Sequence, residues 1–442
     1  MSLAIFERLE SNVRGYVRSF PTVFDTADGC WLTDANGKSY LDFFAGAGTL
    51  NYGHNHPRAT QAMIEYLQRG GVVHGLDTAT VAKTRLLEAI DQILLEPRGY
   101  DYKVQFTGPT GTNAVEAAIK LARKSSGRSH IVAFTNAYHG HSLGALALTG
   151  NQYYHDPSYG SHNNVTHLPF DGYLGDYDTS LILEKMLADS SSGLPLPAAV
   201  ILETVQGEGG INVASESWLR KIAAICRRHD IALIVDDIQV GNGRTGTFFS
   251  FEPAGIRPDI VCLSKSIGGG LPMSLLLLNP ALDNWQPGQH TGTFRGNNLA
   301  FVASRALLEF WRDNHFAAQV GLRSDQLGIA LHELTRRIAE ERGLRLNVRG
   351  RGMVWGIDTG AEPWAVDVCR RAFELGLIIE TSGANDQVIK LLPPLTITED
   401  ELGEGLRILG QAIDDAAPAR SQSLSVAMPS LSEVPSPSSV NH

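Results

Sequence analysis

Cysteine is scarce in this 442-residue chain. There are four, Cys30, Cys226, Cys262 and Cys369, far apart and never in a Cys-x-x-Cys pair. That spacing points away from a disulfide framework and from a cysteine zinc site. Cys226 and Cys262 fall in apolar runs and read as core thiols. Positive charge is also in short supply: 37 Lys and Arg face 47 Asp and Glu, for a net charge of −10, with no basic run. A nucleic-acid partner is therefore not expected. No apolar run approaches the length of a membrane span. The opening MSLAIFERLESNVRGY mixes charges among its apolar residues and has no signal-like core, so the cytoplasm is the expected location. No internal repeat is seen.

What is present suits a large globular core. Apolar residues make up 43% and charged residues 19%, and 45 glycines gather in short runs, as loops near a ligand require. Residues 1–20 read as a short helix stopped at Pro21. Asn36-Gly37 between two apolar segments reads as a hairpin turn. His54 and His56 lie close together, but with Gly and Pro beside them and no third ligand they read as loop residues, and no metal is expected. Helical patterns run from Pro57. Between residues 100 and 280, strands alternate with helices: strands at Lys103–Phe106, His130–Phe134, Ala199–Glu203, Ala232–Val235, Ile260–Leu263 and Ser274–Leu278, helices at Asn113–Ser125 and Glu216–His229. Alternation of this kind predicts an α/β fold with a mostly parallel sheet covered by helices. Long helices at Leu299–Arg312 and Ser324–Arg342 lead into a smaller C-terminal α+β domain. The expected divisions are an N-terminal segment, 1–56, packing with the small domain; a large domain, 57–304; the small domain, 305–415; and a disordered Ser/Pro-rich tail, 416–442.

The chain is organised around Ile231–Leu278. One buried strand delivers Asp236 and Asp237 at its C-terminal end, and another delivers Lys265 just before Gly268, Gly269 and Gly270. In open α/β sheets the ligand sits beyond those strand ends. Alone, an Asp after a strand is commonly a cap and a Lys before glycines a solvated loop residue. Together they suit a carbonyl cofactor. A lysine can hold an aldehyde as a Schiff base, and a carboxylate can keep a pyridine nitrogen protonated, which makes the ring an electron sink. That pairing describes pyridoxal phosphate.

Other segments add parts. Thr110-Gly111-Thr112 opens a helix, where free N–H groups and the helix dipole favour an anion such as a phosphate. Tyr138-His139-Gly140 ends a strand with a ring that can stack on a flat cofactor. Glu203 and Glu208 are acids in a strand end and a glycine-rich loop, where they could order substrate amines. Thr293 and Arg295 stand in a polar turn; Thr293 could donate to phosphate and Arg295 could hold a carboxylate.

From about residue 20 to 415 these parts resemble one family, the class III, or ω-amino-acid, pyridoxal-phosphate aminotransferases of fold type I. The matching text, in the family's order, is TGTNAVEAAIKLAR, YHG, ETVQGEGG, VDDIQVGNGRTG, PDIVCLSKSIGGGLP, GTF and PPLTIT. The resemblance implies that Lys265 is the Schiff-base lysine and Asp236 the partner of the pyridine nitrogen. It implies Ile238 under the ring, Gln239 near its 3′-oxygen, Gly111 and Thr112 on the phosphate, Tyr138 stacked on the ring, and Thr293 reaching a phosphate across a dimer interface. A homodimer or dimer of dimers with shared sites follows from it.

Three departures are visible. Asp236-Asp237 stands where Asp-Glu is common, Glu203-Thr204 where Glu-Pro is common, and Lys390 where many relatives carry an arginine for the substrate carboxylate. A lysine is a point charge rather than a fork. The gate in which Glu208 pairs with that arginine is then lost or becomes a Glu208–Lys390 pair; Arg295 and Lys390 remain the candidates for substrate carboxylates. The text RSFPTVFDTADG, DFFAGAGTLNYGHNHP, HGLDTATVAK and LGLIIETSG resembles one branch most, the diaminobutyrate–2-oxoglutarate transaminases. That branch implies transfer of an amino group from glutamate to L-aspartate 4-semialdehyde, for ectoine, siderophore or peptide natural-product synthesis. SKSIGGGLPMS is shorter than the segment expected of the ectoine enzymes. Another ω-aminotransferase (on ornithine, acetylornithine or 4-aminobutyrate), an isomerase or racemase on the same scaffold, and a non-enzymatic binding protein are the alternatives.

Overall fold

The computed structural model describes residues 1–159, 164–360 and 364–417. Its central feature is a seven-stranded sheet built from β1 (Lys103–Phe106), β2 (Ile131–Phe134), β3 (Val165–Leu168), β4 (Ala199–Leu202), β5 (Ala232–Asp236), β6 (Ile260–Leu263) and β7 (Leu275–Leu278). Their spatial order is β1-β7-β6-β5-β4-β2-β3. Neighbours pair in parallel except around β7, which is antiparallel to both β6 and β1. The mostly parallel sheet and the edges of β1 and β6 match the sequence reading. β3 was not expected: its residues, VTHL, are half polar because it is an edge strand.

Both faces of the sheet are buried, so its central strands are apolar throughout rather than alternating. The pleat still sorts them. Ala199, Ile201, Ile234, Ile260 and Cys262 pack on one side against the small residues Ala114, Ala118 and Ala122 of the Gly111–Ser126 helix. Val200, Leu202, Leu233, Val235 and Val261 join the other side, where Trp218, Leu219 and Ile222 of the Glu216–Arg228 helix are buried. Alanines on the first face let that helix lie close to the strand ends, which sets the position of its N-terminus.

The chain's two ends meet. Strands Trp31–Asp34 and Ser39–Asp42 form the hairpin around Asn36-Gly37, and Ser39–Asp42 pairs in parallel with Leu377–Ile378. A four-stranded sheet of Asn347–Arg351, Val354–Asp358, Val388–Leu391 and Glu380–Ser382 lies in the C-terminal part. The long helix begins at His315, nine positions before the expected Ser324, and continues to Arg342. The helix before it ends at Leu308 and tightens into a 3₁₀ turn at Glu309–Trp311. The last helix ends at Ala416; the expected tail beyond residue 417 lies outside the described residues. Among the described residues no helix is long and apolar enough to cross a membrane.

Candidate active site

The C-terminal ends of β2, β4, β5 and β6 open on a cavity of about 640 Å³. Gly111, Thr112, Tyr138, Glu208, Asp236, Ile238, Gln239 and Lys265 all line it. Each arrives by a short path from the sheet. Asp236 is the last residue of β5, and Lys265 follows β6 after one residue, Ser264. Lys265 has φ 52° and opens a 3₁₀ turn. A non-glycine residue there is strained by about 1–2 kcal/mol, a cost accepted here where the side chain must face the cavity.

Asp236 is buried and hydrogen-bonded. Its Oδ2 lies 2.7 Å from His139 Nδ1, and its Oδ1 accepts the Ile238 N–H at 3.2 Å. Burial works against protonation of His139, but the Asp236 hydrogen bond and the charges of Asp236 and Glu203 outweigh it and raise its pKa. Glu203, at the end of β4, accepts the Tyr138 N–H at 3.0 Å. Its pKa is pushed up to about 8, chiefly by burial and against the pull of His139. Asp237 turns away from the cavity and accepts the Ser250 N–H at 3.1 Å.

Burial depresses the pKa of Lys265. No side-chain hydrogen bond holds its amine among the described residues. A buried, depressed amine facing a cavity is a nucleophile and a base. At the other end, the Gly111–Ser126 helix begins with N–H groups that have no partner within the helix. Asn113 Oδ1 accepts from Thr110 N and Oγ1, at 3.1 and 3.0 Å, which fixes the first turn. A Cβ on Gly111 would lie 3.1 Å from Ile238, so a larger residue would press on the cavity wall. Gln239 donates from Nε2 to Ala47 O at 3.0 Å and to Glu208 Oε1 at 2.9 Å, while its own Oε1 is buried without a partner. An anion cradle, a slot between Tyr138 and Ile238, a carboxylate and a free amine fit pyridoxal phosphate.

Lys390 is fully buried on Val388–Leu391. Its Nζ lies 2.6 Å from Glu208 Oε1 and 2.8 Å from Glu380 Oε1. Burial opposes the charge of Glu208, yet Lys390 and Lys265 hold its pKa down to about 2. Burial would lower the pKa of Lys390, and the two acids raise it instead. Thr293 and Arg295 do not line the cavity of their own chain. Thr293 O bonds His74 Nε2 at 3.0 Å, and Arg295 spends its guanidinium on Phe106 O and His290 O, at 2.9 and 3.0 Å. His54 pairs with Asp42 at 2.7 Å, and His56 caps the Pro57–Gln68 helix by accepting from Arg58 N. Sequence reasoning passed over Glu380 and the part played by His139. The first stood in a quoted segment, LGLIIETSG, as an acid after an apolar run; the second stood inside YHG.

The model of the family described as aminotransferase class-III matches residues 14–413. The chain belongs to the class III aminotransferases. Relatives of this aminotransferase include a protein of Wolinella succinogenes named diaminobutyrate–2-oxoglutarate transaminase, 56% identical over 93% of this chain and 96% of that one. Another of the same name, from Bordetella parapertussis, is 55% identical over 94% of this chain and 96% of its own. Among solved structures, the ornithine aminotransferase of Toxoplasma gondii superposes with a TM-score of 0.80 at 26% identity, covering 94% of each chain; that structure has partial occupancy of pyridoxal phosphate at its active site. Class III aminotransferases work with that cofactor, and the cavity fits it.

Proposed function

We propose that the chain transfers an amino group from L-glutamate to L-aspartate 4-semialdehyde, giving 2-oxoglutarate and L-2,4-diaminobutyrate. The observation that carries this reading is the 55–56% identity, over more than nine-tenths of the chain, to relatives named for that reaction. The cavity supplies parts for it.

In this reading Lys265 holds the cofactor's aldehyde, Gly111 and Thr112 its phosphate, Tyr138 and Ile238 the two sides of its ring, Gln239 its 3′-oxygen and Asp236 its ring nitrogen. When bound, pyridoxal phosphate supplies an aldehyde that joins to amines and a ring that draws electrons from the carbon beside them. Lys265 takes a proton from the amine-bearing carbon of the substrate; its depressed pKa keeps a share of it neutral for that task. The Asp236 carboxylate, steered by His139, holds a proton at the ring nitrogen. Glu208 would close the cavity on the substrate side, with Lys390 buried behind it as the candidate for a substrate carboxylate; Arg295, which does not line this cavity in its own chain, would serve only the cavity of the other subunit.

A homodimer or dimer of dimers is part of the proposal. Val72, Val73, Leu76 and Phe294 are exposed apolar residues near the His74–Thr293 contact, a surface suited to a second copy. Thr293 would then serve the cavity of the other subunit. The cytoplasm, where glutamate and 2-oxoglutarate are abundant, is the proposed location.

The test is a visible absorption spectrum of the purified, cofactor-loaded protein. Addition of L-2,4-diaminobutyrate should bleach the yellow band, and 2-oxoglutarate should restore it. A yellow protein that diaminobutyrate leaves unchanged, while ornithine or 4-aminobutyrate bleaches it, would overturn the substrate.

A further inference from the structure

We propose that Glu380 is a specificity residue that takes the 2-ammonium group of L-2,4-diaminobutyrate. The inference deepens the substrate reading above and rests on it. Diaminobutyrate reacts through its 4-amino group, so its far end presents both a carboxylate and an ammonium. 4-Aminobutyrate differs from it only in lacking that ammonium. An anion placed there would let an enzyme tell the two apart.

The structure places one. Glu380 and Lys390 are direct cross-strand partners on antiparallel strands, which puts their side chains on the same face. Lys390 faces two carboxylates, Glu208 and Glu380, and one ammonium cannot neutralise both. The two contacts are unequal. Lys390 donates a hydrogen bond to Glu208 at 2.6 Å. Its 2.8 Å approach to Glu380 Oε1 is an ion pair, and no other donor reaches that buried oxygen among the described residues. The Glu380 side chain is only 10% exposed. A buried carboxylate served by a single shared ammonium has lone pairs left to accept a further donor, such as a ligand's.

Position supports the assignment. Glu380 lines a cavity of about 860 Å³ that shares Tyr16, Tyr154 and Glu208 with the cofactor cavity. A substrate whose reacting amine lies at Lys265, and whose tail passes Glu208, runs towards Glu380. Glu208 joins the two ends of this path: it lines both cavities and shares Lys390 with Glu380. Burial, aided by the charge of Glu208 and opposed by Lys390, brings the Glu380 carboxyl to about 7. A carboxylate that shares its close ammonium with a second acid gains from an added cation. The same carboxyl can take up a proton when glutamate, with its second carboxylate, occupies the cavity instead.

The experiment compares wild-type holoenzyme with Glu380→Gln and Glu380→Asp in single-turnover bleaching by L-2,4-diaminobutyrate and by 4-aminobutyrate. Cofactor absorbance per chain serves as the check on folding. Loss of one charge-assisted hydrogen bond predicts that the Gln variant lowers the ratio of kcat/KM for diaminobutyrate over 4-aminobutyrate by about tenfold or more, with the loss mainly in half-saturation. The Asp variant should recover part of that ratio, and it carries the comparison alone if the Gln variant fails to load cofactor. An unchanged ratio, including equal losses on both amines, overturns the role. Failure of the substrate reading looks different: wild type itself would then show no preference for diaminobutyrate.

Discussion

At the scale of single residues, the site is set by how many charges are buried and how few are matched. Glu203, Asp237 and Glu380 have pKa values raised to about 8, 7 and 7, in each case first by burial. A carboxyl raised in the folded state contributes stability below its unfolded pKa and loses it as pH climbs through the folded value. Glu208, held down to about 2, works the other way and loses its contribution only towards pH 2. The apo protein should therefore weaken between about pH 4.5 and pH 8 through the three raised acids. Glu203→Gln isolates one of them. Urea unfolding at pH 5 and pH 8 should show the variant gaining on wild type at the higher pH, by at most on the order of 4 kcal/mol. An equal difference at both pH values would mean that Glu203 is not carrying a raised pKa. The sequence showed Glu203 as an acid at a strand end, but not its state. That state depends on Asp236 and His139, which folding brings from 33 and 64 positions away.

Elements explain which parts of the site could be read in advance. The position of Lys265 and Asp236 at the cavity was legible because each follows a continuous apolar run whose place is a buried strand, and strand ends of such sheets face the ligand. The Gly111–Ser126 helix was legible from its turn and its alanine-rich face. Glu380 was not, because its meaning comes from register: it faces Lys390 only once Glu380–Ser382 and Val388–Leu391 are paired. β3 was missed because four mixed residues at a sheet edge carry little pattern. The start of the His315–Arg342 helix was missed because Gly321 interrupts the run that tertiary packing of Phe316 and Val320 nevertheless holds helical. The left-handed backbone at Lys265 also belongs to an element, the 3₁₀ turn it opens. Between two variants that remove the amine, Lys265→Gly should be more stable than Lys265→Ala by about 1 kcal/mol in thermal or urea unfolding of the apo protein, since only the alanine keeps a Cβ in that conformation. Equal stabilities would show that the strain is absent.

At the scale of the whole molecule, one buried cation joins distant parts of the chain. Arg244 donates to Met353 O at 3.0 Å, to Asn51 Oδ1 at 2.5 Å and to Pro393 O. Its partners are carbonyls, so burial brings its pKa down to about 9 against the pull of Asp42. Replacing it with Met removes a charge but strands three acceptors. A loss of about 3 kcal/mol or more is expected in the urea midpoint of the apo protein, and a loss below about 1 kcal/mol would mean that the acceptors find other donors. The divisions expected from the sequence are tied together here: Asn51, Arg244, Met353 and Pro393 meet at one guanidinium.

The parts of the cavity also have separate origins. Lys265, Asp236 and the first turn of the Gly111–Ser126 helix hang from the large sheet, whereas Glu380 and Lys390 stand on two strands of the small one. Inheritance can therefore act on them separately. A change at Glu380 or Lys390 would therefore alter the buried charges beyond Glu208 while the strands that carry Lys265 and Asp236 stay as they are.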